Sequence, residues 1–171
     1  VVEYKAKLNV DAKRGATGNP NEAWLEFSND QYNTGEGSPT GNTPHDKVIV
    51  FTFDIVVNKY KNSVTDANKL NNAGFTLYKS LMAQTGQGSG TNAGNNTNVF
   101  RFNGLDSGYY KIVESKVPDG FTKADDVIFT VEATYDATSD APTLTGLVVK
   151  DANGSVISTG ENAKFTLSGI T

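Results

Sequence analysis

Apolar and polar positions alternate with a period of two through most of this chain, and no segment sustains the 3.6-residue spacing of an amphipathic helix. Val2, Tyr4, Ala6 and Leu8 alternate with polar residues and predict a first half-buried strand. A second strand is expected over residues 22–29, with Ala23, Leu25, Phe27 and Asn29 on one face and Trp24, Glu26 and Ser28 on the other. The longest signal runs over 47–59, where Phe51, Phe53, Ile55, Val57 and Lys59 share a side. Further strands follow at 73–79, with Phe75 and Leu77 inward, and at 99–102. In the stretch 109–116, Tyr110, Ile112 and Glu114 share one face. Residues 126–135, 144–150, 156–157 and 165–167 complete the series. Many short strands punctuated by turns predict an all-β fold, an antiparallel Ig-like sandwich.

Three of these rows end on a polar group where the core should continue. Glu114 stands on the apolar face just before the turn Pro118-Asp119-Gly120. A buried, unpaired carboxylate costs several kcal/mol, so Glu114 requires a partner from elsewhere in the chain. Lys59 closes the row of the longest strand. Taken alone it reads equally as a strand-edge lysine whose stem packs while its ammonium reaches water. Asn29 closes the second row, and an amide there commonly ends a strand by bonding nearby backbone.

The composition supports strands and turns: 17 Gly, seven Tyr and nine Phe in 171 residues. No cysteine is present, which removes disulfides and thiolate metal sites from consideration. The net charge of −4 argues against nucleic acid or an anionic membrane surface as partner. No run approaches a membrane span, and the opening residues carry no signal-peptide pattern. The chain starts inside a strand-like run, as an excised fragment would.

Residues 9–21, 30–46 and 83–98 read as loops, and the Gly/Pro-rich 30–46 stretch places a domain boundary near 46. His45, the single histidine, has no second imidazole to join it in metal binding or catalysis. The run Gly86-Gln87-Gly88-Ser89-Gly90 lacks the Lys-Ser/Thr and the following helix that a phosphate cradle needs. The acidic stretches at 125–126 and 136–140 have no EF-hand spacing and read equally as a metal site or as solvated turn carboxylates. No metal or cofactor is expected.

Lys59 and Glu114 lie on strands far apart in sequence, each at the end of an inward row. Enclosed together, away from water, they can exist as a neutral amine beside a neutral carboxylic acid. Such an amine is a nucleophile, and the acid can polarise an asparagine carboxamide by hydrogen bonding. Attack on that amide with loss of ammonia would join two strands through an isopeptide bond.

Four stretches carry a resemblance to a known family. Asp54-Ile55-Val56-Val57-Asn58-Lys59 looks like an opening strand with a reactive lysine. Asn72-Ala73-Gly74-Phe75-Thr76-Leu77-Tyr78 looks like the segment that follows it. Gly108-Tyr109-Tyr110 through Phe121 matches an E-box, with Ile112 and Phe121 as mild departures, and 126–135 is similar to the next strand. Together they resemble the Cna B-type domains of Gram-positive surface proteins, particularly the backbone (major) pilins assembled by sortases. Residues 1–46 are similar to the last strands and linker of a preceding pilin domain, and 47–171 to a Cna B-type sandwich lacking its last strand.

The resemblance implies that Lys59 is the isopeptide donor and Glu114 its catalytic carboxyl. Asn29 would be the acceptor for a lysine of the preceding domain. Asn162 is the nearest acceptor candidate for Lys59, although 160–163 reads as a loop and the family's acceptor lies on a final strand. Neither a Leu-Pro-x-Thr-Gly sorting signal nor a pilin polymerisation motif occurs here. The implied role is structural: part of a cell-wall-anchored pilus outside the cell, with other pilin subunits and sortase as partners. The alternative is an adhesin stalk or tip module that binds a host matrix protein or glycan, with 83–98 as its surface. An enzyme such as a glycosidase would need two carboxylates flanking a cleft, and only Glu114 is visibly misplaced.

Overall fold

The computed structural model describes residues 3–30, 32, 37, 39–80, 87–93, 97–139, 141–160 and 162–169. Strand β5 (Phe53–Lys61) is the spine of the core. Phe53, Ile55, Val57 and Lys59 point inward and are fully buried, because the pleat sends every second side chain to the same face. It lies between β8 (Val99–Leu105), which is antiparallel to it, and β13 (Asn162–Gly169), which runs parallel.

The facing layer is a larger sheet in the order β12 (Val156–Thr159), β11 (Thr143–Asp151), β10 (Val127–Asp136), β9 (Gly108–Lys116), β6 (Gly74–Ser80) and β7 (Gln87–Ala93). All of its pairings are antiparallel. Between the layers Phe53, Phe75, Phe100, Tyr110, Ile112, Phe129, Val131, Leu147 and Val149 form one continuous core. Phe75 meets Phe100 edge-on at 4.8 Å, joining the two sheets, and Tyr110 stacks on Phe129 within one sheet at 5.5 Å. Each fully buried side chain of this size contributes roughly 1.5–3 kcal/mol. The all-β sandwich expected from the alternation is the fold observed.

The turn after β9 forms with Gly120 at φ +79°, as a glycine there permits. Pro118 is the carbonyl end of that turn, accepting from Phe121 N–H at 3.2 Å, and does not occupy its first central position.

Several expected elements differ. Residues 3–9 form no strand, and Tyr4 and Leu8 are exposed. The strand expected over 22–29 divides into β1 (Asn19–Ala23) and β2 (Glu26–Ser28), with Leu25 and Phe27 exposed, because each pairs with only one short strand and no sheet covers them. β2 pairs with β3 (Thr40–Asn42), inside the stretch expected to be a loop. The 47–59 strand breaks at Phe51-Thr52 into β4 (Asp46–Val50) and β5, and β4 pairs with β1. Part of the 83–98 loop is strand β7, added to the sheet edge by backbone pairing with β6, which a Gly/Asn-rich sequence does not announce. Residues 83–86 and 94–96 of that loop lie outside the described residues. The strand expected at 165–167 extends back to Asn162.

The β1–β4 pairing crosses the boundary expected at 46, and other contacts cross it too. Gly15 is buried and its N–H donates to Thr52 O at 2.8 Å, while Arg14 Nη1 meets Asp54 Oδ2 at 2.7 Å.

Candidate functional site

The alternation of β5 brings Lys59 into the core, and that of β9 brings in Glu114 from the opposite sheet. Lys59 Nζ lies 3.1 Å from Glu114 Oε1, and both side chains are wholly excluded from solvent. At this distance the groups are an ion-pair contact, yet the angles do not make a hydrogen bond and neither atom finds another partner among the described residues. The distance and the hydrogen-bond geometry thus point in different directions. The two heavy atoms are in contact, but the angle at one of them is too acute for a hydrogen bond. The amine therefore retains unused donor capacity in a dry site, an arrangement that costs stability unless a third group meets it.

Main-chain and core contacts fix both residues. Lys59 N–H donates to Asn98 O at 2.8 Å and Lys59 O accepts from Leu70 N–H at 3.1 Å, so its backbone is held on two sides. Asn98 is itself buried, and its carboxamide donates to Lys59 O at 3.4 Å. Glu114 stands opposite Phe75 in the β6–β9 register, which sets an aromatic ring beside the carboxyl. Its second oxygen, Oε2, accepts from Ala124 N–H at 2.7 Å. Neither Asn98 nor Ala124 has a sequence signal: one sits in an Asn-rich loop and the other acts through its backbone.

The two remaining candidates lie elsewhere. Asn162 opens β13 in register with Asp54, while the position paired with Lys59 is Leu167. Five residues of strand separate them, about 16 Å, which is beyond the combined reach of a lysine and an asparagine. Asn29 follows β2 with its N–H bonded to Pro39 O at 2.9 Å, and the residue is exposed. His45 stacks flat on Trp24 at 4.6 Å with Nδ1 3.0 Å from Glu22 Oε1. Among the described residues no group of three or more His, Asp or Glu is placed to hold a metal.

A prealbumin-like sandwich with an amine and an acid enclosed between its layers is the class of domain these observations define. The chain belongs to the SpaA prealbumin-like fold domain family, whose profile matches residues 55–143 and so includes both Lys59 and Glu114. Among solved structures it is similar to the T6 backbone pilin of serotype M6 Streptococcus pyogenes, a modular three-domain protein, at 16% identity and a TM-score of 0.59, covering 96% of this chain and 45% of that one. Two other matches are BcpA, the major pilin subunit of Bacillus cereus (18% identity, TM-score 0.45, 93% of this chain and 40% of that), and the group B streptococcus pilus 2b backbone protein (18%, 0.43, 81% and 46%). This chain thus spans less than half the length of each. No curated protein sequence matches it.

Proposed function

We propose that this chain is a segment of the shaft of a Gram-positive surface pilus, reinforced by an intramolecular isopeptide bond from Lys59 to an asparagine, with Glu114 promoting the reaction. The observation that carries the reading is the 3.1 Å approach of Lys59 Nζ to Glu114 Oε1 inside a water-free core. In that setting the neutral Nζ attacks the acceptor carboxamide carbon. A C–N bond forms, the bond to the amide nitrogen breaks, and Glu114 passes the proton released by Nζ to the departing nitrogen, which leaves as ammonia. Each domain reacts once and turns over no substrate, and the bond resists both reduction and proteolysis. The acceptor has to stand closer to Lys59 than Asn162 does, and since β13 holds no other asparagine it comes from a different segment. Residues 1–46 are read as strands of a preceding pilin domain that stay paired to this one through β1 and β4, with Asn29 as that domain's acceptor, and sortase joins the full-length subunits outside the cell, anchored to the wall.

Intact mass of the full-length protein tests this reading. The wild type is expected to be lighter than its sequence by one ammonia per bond, and Lys59→Ala and Glu114→Ala each lack the loss assigned to this domain. A Glu114→Ala protein that loses the same ammonia as the wild type contradicts the role given to Glu114.

A further inference from the structure

We infer that the backbone N–H of Ala124 is the positioning group of this site: it fixes the Glu114 carboxyl and selects Oε1 as the oxygen that exchanges protons with Lys59, an inference that rests on the crosslinking reading above. The two oxygens of Glu114 have different surroundings. Oε2 receives the Ala124 N–H at 2.7 Å, whereas Oε1 faces Lys59 Nζ at 3.1 Å. An oxygen that already accepts a short N–H bond is the poorer proton acceptor, because protonation weakens the lone pair that bond uses. The proton of the neutral acid therefore resides on Oε1, on the side of the reacting amine. As Nζ attacks, Oε1 first gives its proton to the acceptor amide and, once deprotonated, takes the proton that Nζ releases. Glu114 ends with as many protons as it began with, and Oε2 stays in place throughout. Without the Ala124 bond the carboxyl is free to rotate about its last torsion, and the two oxygens become equivalent.

The segment that carries Ala124 has no regular structure, so its position depends on side-chain anchors. Asp126 supplies them. Its Oδ1 meets Lys123 Nζ at 2.8 Å, and its Oδ2 lies 3.6 Å from Lys111 Nζ, which stands on β9 three residues before Glu114. Lys111 Nζ is in turn 5.7 Å from the centre of the Tyr78 ring on β6. An exposed ionic clip on the outside of β9 thus holds a backbone donor against the buried side of the same strand.

An amide-to-ester substitution at Ala124, made by inserting lactic acid during cell-free translation of the full-length protein, replaces the N–H with an oxygen that cannot donate and leaves the side chain unchanged. Intact mass is followed against time after a pulse of synthesis. The ester loses ammonia about tenfold or more slowly than the wild type, as expected for the loss of one buried hydrogen bond. Near-UV circular dichroism confirms that the ester is folded, and Asp126→Asn, which releases the clip with the N–H intact, gives a slowing smaller than that of the ester. An ester that reacts at the wild-type rate overturns the assignment of Ala124. Absence of ammonia loss in the wild type would instead overturn the crosslinking reading itself.

Discussion

Lys59 and Glu114 come from different sheets, and their 3.1 Å contact is a polar junction between the two layers of the sandwich. Around it the interface is apolar, with Phe75 directly across from Glu114 on the neighbouring strand. Removing one partner leaves the other enclosed and uncompensated. In protein that has not crosslinked, Lys59→Met or Glu114→Leu alone is expected to cost about 3–5 kcal/mol in denaturant unfolding, and the double variant much less than the sum. Additive losses would show that the two side chains do not share one environment.

Phe75→Ala should act on the same junction without touching a charge. The ring is fully buried and packs edge-on against Phe100, so truncation costs about 3–5 kcal/mol and opens the site to water. The proposed crosslink, read by mass, is then expected to form more slowly than in the wild type, because water competes for the amine and the acid.

Gly18 tests whether residues 13–23 are built into the sandwich. It adopts φ +57°, and a Cβ there would come within 2.4 Å of Ile49 Cγ2 and 2.8 Å of the Phe51 ring. Gly18→Ala is predicted to destabilise by about 1–3 kcal/mol and to expose this stretch to limited proteolysis. Unchanged protection would mean that the β1–β4 pairing tolerates displacement of the segment.

Asp106 should shape the acid limb of stability. Burial works against its charge, but hydrogen bonds from Lys79 and Tyr110 outweigh that and hold its carboxyl below the usual carboxylate range. The Tyr110 hydroxyl is pushed upward, first by burial and then by the adjacent Asp106 charge. A group depressed in the folded state contributes stability above its unfolded value, near 4, and loses it as pH falls through the lower folded value. Asp106→Asn is therefore expected to lower the thermal midpoint at pH 7 and to leave it less sensitive to acid below about pH 4 than the wild type. Parallel acid limbs for the two proteins would remove Asp106 from this role.

Alternation alone put Lys59 and Glu114 on inward faces, because the two-residue pleat is local and needs nothing beyond the strand that carries it. The same local rule sufficed for the buried rows of β5, β6, β9 and β10 and hence for the all-β class. It misled over 3–8 and 22–29, where alternation is present but no second layer among the described residues covers it. Only the folded molecule decided that β5 and β9 lie in opposing sheets with Lys59 and Glu114 at the same depth. The tertiary structure likewise set β7 on the sheet edge, paired Asn162 with Asp54 in place of Lys59, and brought the Ala124 N–H to Glu114. Those outcomes depend on backbone pairing and on contacts between residues distant in sequence, which no periodicity of side chains records.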